Sequence, residues 1–266
     1  MPKVLGIPMH GGSLEDAVAR VISLCGPAQH QGNHLVSATS AHGLVFARRH
    51  AGFRRVLKGF FLNLPDGKPV AWVGRRLKGA AAMRQCRGSD FFTAVIDRSA
   101  DRPIKHFFCG GKAGVAAKLR DVCADRYGNR HCVGVFSPPF REMSDEELQA
   151  LAGEINRSDA DIVWVGLSTP KQEVFATRLS RFTRVHVLAT IGAAFDFHVG
   201  NVKEAPRIFR RFGLEWFYRL CTEPRRLYRR YTAVVPLFIL YNLIDLIRTG
   251  AGETDDVTDT GERCGV

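Results

Sequence analysis

Short apolar runs alternate with amphipathic stretches along most of the chain. Six short runs are mainly apolar, at residues 34–40, 59–67, 104–110, 131–136, 161–167 and 185–192. Strands that are buried on both faces lack the apolar–polar alternation of a half-exposed strand, so these runs predict buried parallel strands.

Helical patterns occupy the intervals between these runs, at residues 41–59, 111–128, 144–158 and 169–179. Ser144 and Glu147 have the S-x-x-E spacing of a capping box, and Thr169 with Gln172 repeats that spacing around Pro170. Alternating strands and helices with right-handed crossovers predict a Rossmann-like open, mostly parallel sheet with helices on both faces.

The C-terminal part has a different pattern. Residues 203–230 carry nine Lys/Arg against three Glu, a net +6 of the chain's +12, interleaved with aromatic residues. The apolar segment 233–247 follows, and it is shorter than the roughly 20 residues that a spanning helix needs. This order predicts a membrane-associating helical appendage over 203–250, an α/β core over 1–202 and a disordered acidic tail over 251–266.

The composition indicates the cellular compartment of the protein and the kind of partner that it binds. The seven cysteines are scattered without a CxxC spacing, which indicates reduced thiols rather than a disulfide framework or a zinc site. The first residues lack an apolar core of signal-peptide length. We therefore expect a cytoplasmic protein, peripheral on the inner membrane face, that meets an anionic surface. A nucleic-acid partner fits the apolar segment poorly.

Three loops follow predicted strands, where open α/β sheets collect ligands. Gly110 and Gly111 could approach a phosphate, or they could form a tight turn. Gln172 could bind a nucleotide, or it could serve the capping box alone. Asp66, in Pro-Asp-Gly, could act as a general base, or it could simply form part of a turn, in which this sequence is common.

Charged residues offer two further candidates. Arg219 and the i, i+4 rows of residues 225–230 could bind a diphosphate through paired guanidinium hydrogen bonds, or they could form a solvated basic face. Asp159 and Asp161 have the D-x-D spacing of a metal site, but they precede their strand and so belong to the edge opposite the ligands. We therefore expect neither a metal nor another cofactor.

Seven segments in order resemble the WecG/TagA/CpsF glycosyltransferases over about residues 4–231. They are LNLPDGKPVAW, RGSDFF, FFCGGKAGVA, VFSPPFREMSDEE, VGLSTPKQEVFA, IGAAFDFHVGNVKEAP and GLEWFYRLCTEPRRLYRRY. The resemblance implies inverting, metal-independent transfer of a hexose or N-acetylhexosamine from a UDP-sugar to a polyprenyl-diphosphate-linked sugar, in cell-surface polysaccharide synthesis. The rival interpretation is a non-catalytic basic α/β protein that binds membrane or nucleic acid.

The resemblance also assigns roles to individual residues. Asp66 would be the base that deprotonates the acceptor hydroxyl, and Gln172 would lie in the donor pocket. Gly110 and Gly111 would line the nucleotide site, with Thr39 as a further donor-site candidate. Gln85 occupies a position where the family has Arg, so either neighbouring arginine, Arg84 or Arg87, could substitute. Arg219, Arg226 and Arg229 would complete the active site and hold the diphosphate, and the chain could form a homo-oligomer.

Overall fold

The computed structural model describes residues 1–26 and 32–250 of the protein. Its strands are β1 (Lys3–Val4), β2 (Ile7–Pro8), β3 (His34–Thr39), β4 (Leu62–Pro65), β5 (His106–Gly110), β6 (Cys132–Phe136), β7 (Ile162–Gly166) and β8 (Val187–Thr190). Six of them form one parallel sheet in the order β4-β3-β8-β7-β5-β6, and β1 pairs with β2 in a separate antiparallel ribbon. The predicted strands are thereby confirmed.

The helices that surround the sheet are α1 (Leu14–Leu24), α2 (Ala41–Arg49), α3 (Ala51–Lys58), α4 (Lys68–Leu77), α5 (Gly88–Arg98), α6 (Val115–Tyr127), α7 (Asp145–Arg157), α8 (Lys171–Leu179), α9 (Ala194–His198), α10 (Arg207–Phe212), α11 (Glu215–Thr222) and α12 (Pro224–Gly250). The capping box of α7 is confirmed, because the Glu147 backbone N–H donates to Ser144 Oγ and the Ser144 N–H donates to Glu147 Oε2.

Central strand β7 explains why the apolar runs lack alternation. Ile162 and Trp164 pack into one apolar cluster, whereas Val163 and Val165 pack into another on the opposite face. Successive side chains of a strand point to opposite faces. Both faces of this sheet are covered by helices, so every position of β7 must be apolar.

Two local predictions were wrong. The helix expected over 41–59 is divided into α2 and α3 at His50, whose backbone is extended (φ −128°, ψ 102°). The capping box expected at Thr169 does not form, because the helix begins at Lys171 and Pro170 occupies the cap position. The Thr169 hydroxyl instead donates to Glu173 Oε1 at 2.8 Å, so it is not used to cap the backbone.

The appendage, residues 203–250, contains α10, α11 and α12. Val234 and Phe238 of α12 are buried in a cluster with Leu44 and Val45 of α2, so this helix packs on the core. The window Tyr231–Arg248 is long and apolar enough to cross a membrane by length and composition alone. The predicted boundary at 202/203 stays a prediction, and the predicted tail at 251–266 lies outside the described residues.

Candidate active site

A cleft of about 570 Å³ opens at the carboxyl edge of the parallel sheet, where the strand ends face the appendage. Residues that follow β3, β4, β7 and β8 form one wall, and α11 and α12 form the other. This volume lies within the range of about 300–1,000 Å³ that is usual for small-ligand sites. Open α/β sheets bind ligands at this edge.

Asp66 lies directly after β4 and borders the cleft. Its Oδ1 accepts a hydrogen bond from the Gly88 N–H at 2.9 Å, and its backbone carbonyl accepts one from Gln85 Nε2 at 3.0 Å. Burial raises the pKa of the Asp66 carboxyl; the Gly88 hydrogen bond opposes that rise and the charge of Glu215 adds to it. The result is a fixed carboxyl group whose proton affinity is higher than that of a solvated aspartate.

Arg87 also borders the cleft, but its guanidinium is already paired. Its Nη1 lies 3.1 Å from Asp90, and its Nη2 lies 3.0 Å from Glu215 and 3.8 Å from Glu204. The arginine side chain is 7% exposed, so these carboxylates compensate a nearly buried charge. Since Glu215 belongs to α11, Arg87 joins the core to the appendage.

Gln172 borders the cleft, and its side-chain amide forms hydrogen bonds with other groups of the protein. Its Nε2 donates to Glu173 Oε1 at 2.9 Å and reaches Thr169 Oγ1 at 3.3 Å, and its Oε1 accepts from the Gly192 N–H at 2.9 Å. These bonds tie the start of α8 to the loop after β8. Gln172 therefore fixes the backbone of Gly192, which also borders the cleft.

Glu173 supports this arrangement from below the surface. Its Oε1 accepts from Thr169 and Gln172 and lies 3.4 Å from Ser37 Oγ, while Oε2 has no hydrogen-bond partner among the described residues. Burial raises the pKa of the Glu173 carboxyl, and the three side-chain hydrogen bonds oppose that rise. The carboxyl group thus orients Gln172 without facing the solvent.

Arg219, on α11, approaches the cleft from the appendage. Its guanidinium stands over the ring of Phe197 at 5.4 Å. Its Nε is buried and has no hydrogen-bond partner within the described part of the chain. Arg219 borders the cleft, so its positive charge lies beside the space that an anionic ligand would occupy. The side chains of Arg226 and Arg229, which the sequence predicts to act with Arg219, lie outside the described residues.

Four predicted residues are not among those that line the cleft. Thr39 is buried, with its hydroxyl 3.1 Å from Ser37 Oγ and 3.2 Å from Asn63 Oδ1. Arg84 donates through Nη1 to the carbonyls of Ala81 and Met83 in its own loop. The structure therefore gives both side chains protein partners. The Thr39 backbone is nevertheless next to Asp66, because its carbonyl accepts a hydrogen bond from the Asp66 N–H at 3.2 Å.

The remaining two, Gly110 and Gly111, are needed for close packing. A Cβ on Gly110 would lie 2.6 Å from the Gly166 backbone, and one on Gly111 would lie 2.6 Å from Val115. The close approach of β5 to β7 accounts for the first glycine, and the left-handed φ of 71° at Gly111 fits a tight turn. Lys112, the next residue, borders the cleft.

Many of the residues that border the cleft were not predicted as site residues, among them Gln85, Glu215 and Trp216. Gln85 stands out in the sequence only as a departure from the family, although its side chain holds the Asp66 carbonyl. Glu215 and Trp216 belong to a segment whose most visible property is its basic charge. Charged and aromatic residues alternate around them, but that alternation does not indicate which side chains turn inward.

The D-x-D pair lies away from this site, as predicted. Asp159 and Asp161 precede β7 and so belong to the amino edge of the sheet. Asp161 Oδ2 accepts from the Lys105 N–H at 2.7 Å, and Asp159 pairs with Lys105 Nζ at 2.7 Å. Both carboxylates hold the start of β5 and β7 together.

A parallel sheet with a cleft at its carboxyl edge, bordered by a carboxylate and two arginines, defines an α/β protein with a candidate ligand site at that edge. The sequence matches the glycosyl transferase WecG/TagA/CpsF family over residues 2–251. It is also 31% identical over 198 residues to the N-acetylglucosaminyldiphosphoundecaprenol N-acetyl-beta-D-mannosaminyltransferase of Bacillus spizizenii, which covers 74% of each chain. The chain belongs to the WecG/TagA/CpsF family and is a glycosyltransferase.

Proposed function

We propose that the protein is an inverting, metal-independent glycosyltransferase that moves a hexose or N-acetylhexosamine from a UDP-sugar to a polyprenyl-diphosphate-linked sugar. The name of the Bacillus relative describes transfer of N-acetylmannosamine to a GlcNAc-diphosphate lipid. UDP-N-acetylmannosamine is accordingly the first donor to test, with UDP-glucose as the second. Cell-surface polysaccharide assembly would consume the product.

The observation that carries this proposal is the Asp66 carboxyl in the cleft. Ionised Asp66 would take the proton of the acceptor hydroxyl while that oxygen attacks the anomeric carbon of the donor. The bond from the anomeric carbon to the diphosphate oxygen would break, and UDP would leave from the opposite face, which gives inversion. A raised pKa makes Asp66 a better proton acceptor than a solvated aspartate.

The departing diphosphate gains negative charge, and Arg219 would stabilise it. The position of this arginine at the cleft supports that role. Arg226 and Arg229 remain proposed contributors. Arg87 would act differently, because its guanidinium already holds three protein carboxylates. We propose that it positions α11 rather than contacting the diphosphate.

A transfer assay tests the proposed base. Asp66→Asn keeps the oxygen that accepts from Gly88 but cannot take a proton, so UDP release should fall by about 10²–10⁴. Asp161→Asn is the matched control, since it makes the same chemical change at the opposite edge of the sheet and should retain activity. Full activity in Asp66→Asn would overturn the assignment.

Membrane association is the second part of the proposal. α12 exposes Leu243, Leu246 and Ile247 while it packs on the core through Val234 and Phe238. An apolar face beside a basic segment suits the cytoplasmic face of an anionic bilayer, where the lipid-linked acceptor resides. Leu243→Glu with Leu246→Glu should abolish co-sedimentation with anionic vesicles, and undiminished sedimentation would contradict this role.

The domain limits belong to the same proposal. Residues 1–202 would form the catalytic core, and residues 203–250 would complete the site and bind the membrane. The contacts of Glu215 and Val234 with core residues support a functional unit made of both parts. The rival interpretation, a non-catalytic basic protein, leaves the positions of Asp66 and Arg219 in one cleft without a purpose.

A further inference from the structure

Helix α4 carries an exposed aromatic and basic face that no step of the proposed reaction uses. Its buried side contains Val70, Ala71 and Val73, which pack into the apolar cluster around α2. Trp72 is 52% exposed, and Arg75 and Arg76 are exposed beside it. Residues three and four positions apart share one helix face, so these three form a single patch, the α4 patch.

The α4 patch has a composition suited to an anionic interface. The helix KPVAWVGRRL contains three basic residues and no acidic one. Tryptophan favours the boundary between water and lipid because its ring is apolar and its N–H is polar. Each arginine near an anionic membrane contributes about 1 kcal/mol to binding.

The position of α4 relates this patch to the cleft. The helix begins two residues after Asp66, and Lys68 and Pro69 of its first turn border the cleft together with Val235 and Ile239 of α12. Lys68 Nζ donates to the carbonyl of Arg211 in the appendage. The first turn of α4 is therefore continuous with the appendage around the mouth of the cleft.

Geometry then limits how the protein can face a bilayer. A polyprenyl-diphosphate acceptor keeps its lipid in the membrane, so the mouth of the cleft must lie at the membrane surface. Trp72 follows Lys68 by four residues, and four residues of α-helix rise about 6 Å. An orientation that brings Lys68 and the apolar face of α12 to the bilayer therefore also brings Trp72 to the level of the lipid headgroups.

We propose that the α4 patch is a second membrane-contact surface, located on the core, and that its occupant is an anionic phospholipid bilayer. The inference rests on the proposed function and extends it, since membrane contact was assigned to the appendage alone. Contacts on two sides of the cleft would fix the tilt of the protein. A single contact through α12 would leave that tilt free.

The three tryptophans of the chain permit a direct test. In the full-length Trp216→Phe variant, the fluorescence comes from Trp72 and from Trp164, which is 0% exposed. Vesicles of phosphatidylglycerol and brominated phosphatidylcholine should quench Trp72. The variant Trp216→Phe with Trp72→Phe is the matched control, and its remaining Trp164 emission should be unaffected.

The outcomes separate this inference from the proposed function. Sedimentation with the vesicles without any quenching of Trp72 would overturn the α4 patch alone. A protein that does not sediment at all would overturn the membrane role and this inference with it. Quenching of Trp72 that is absent from the control variant supports the inference.

A charge test provides a second, independent readout. Arg75→Gln with Arg76→Gln should raise the vesicle concentration for half-maximal binding by roughly thirtyfold at low salt, from about 1 kcal/mol for each arginine. Arg98→Gln with Arg102→Gln removes the same charge before β5, at the opposite edge of the sheet, and should change binding much less. Equal effects of the two pairs would mean that net charge alone matters and would overturn the patch.

Discussion

Replacing Glu215 with Gln tests how the appendage acts on the proposed base. Glu215 pairs with Arg87 Nη2 at 3.0 Å, and its charge adds to the burial that raises the Asp66 pKa. Glutamine keeps the shape and one acceptor oxygen for Arg87 but removes the charge. The substitution should therefore weaken the docking of α11 and, separately, lower the pKa of Asp66.

The expected loss of activity follows from the contacts of Arg87. Glutamine would still accept a hydrogen bond from the charged guanidinium, so the difference between the two side chains is the ion-pair part alone: about 0.2–1 kcal/mol for an exposed pair and about 3–5 kcal/mol for a buried one. The difference is reduced here because Glu215 is 23% exposed and because Asp90 still pairs with Arg87 at 3.1 Å. We expect about 1 kcal/mol, or roughly a fivefold fall in kcat/KM at high pH.

The pH dependence of kcat/KM tests the effect of Glu215 on Asp66 more specifically than the loss of activity does. Asp66 acts as a base only when it is ionised, so activity should fall on the acidic side of its pKa. Removing the negative charge of Glu215 lowers that pKa, so the acidic limb of kcat/KM should move to lower pH. The ratio of wild-type to variant activity should therefore be largest at high pH and shrink as the pH falls.

The assay is UDP release with a lipid-diphosphate acceptor across the pH range. Glu204→Gln is the matched control, because Glu204 lies 3.8 Å from the same arginine and is not among the charges that act most on Asp66. This control should change activity less and leave the acidic limb in place. An acidic limb that stays unmoved in Glu215→Gln, or moves to higher pH, would refute the reasoning.

Two further predictions separate folding from function. Asp66→Asn should raise Tm at pH 8 by roughly 2–4 °C for each kcal/mol recovered, because burial disfavours the ionised carboxylate, and differential scanning fluorimetry should show a smaller gain at pH 5. A lower Tm at pH 8 would contradict this sign. Gly110→Ala should lower Tm, since its Cβ would lie 2.6 Å from Gly166, without changing the donor KM of the folded fraction. Gly153→Ala, inside α7, is the control: its Cβ meets nothing within 4 Å, and alanine favours a helix more than glycine does, so its Tm should stay the same or rise. A normal Tm with lost donor binding in Gly110→Ala would restore the nucleotide-site interpretation.

The six strands of the sheet were predictable from the sequence because they consist mainly of apolar residues. Strands such as β5 and β7 are buried at every position, and a short continuous apolar run between helical patterns is typical of such strands. The ribbon of β1 and β2 was not predictable, because two residues per strand leave no pattern. The break at His50 was not predicted either, because Gly52, two residues later, is a weak signal within an otherwise helical pattern.

The cap at Thr169 shows how a correct pattern can mislead. The T-x-x-Q spacing is present, but a capping hydroxyl must be free to bind the backbone. Here Glu173, one residue past the motif, is buried and accepts from the same hydroxyl at 2.8 Å. A buried carboxyl needs hydrogen bonds more than an exposed helix end does, because water can satisfy the helix end. Burial decides the competition, and spacing carries no information about burial.

For the candidate site, the sequence predicts which residues directly follow a strand and therefore lie at the carboxyl edge of the sheet. Asp66 and Gln172 follow strands, so the carboxyl edge of a parallel sheet brings them to one cleft. The partner of Arg87 was not predictable, since Glu215 comes from a distant segment of the chain. The sequence offered Arg87 as a ligand for substrate, and only the tertiary contacts assign its charge to protein carboxylates.

That reassignment changes how the appendage would contribute to catalysis. A guanidinium that holds Asp90 and Glu215 has few donors left for a diphosphate, so the positive charge for the leaving group must come from elsewhere in the cleft. Arg219, on the same helix as Glu215, borders the cleft. One ion pair would therefore place Glu215 near Asp66 and Arg219 near the diphosphate in the same step. Docking of α11 would then set both the strength of the base and the stabilisation of the departing UDP.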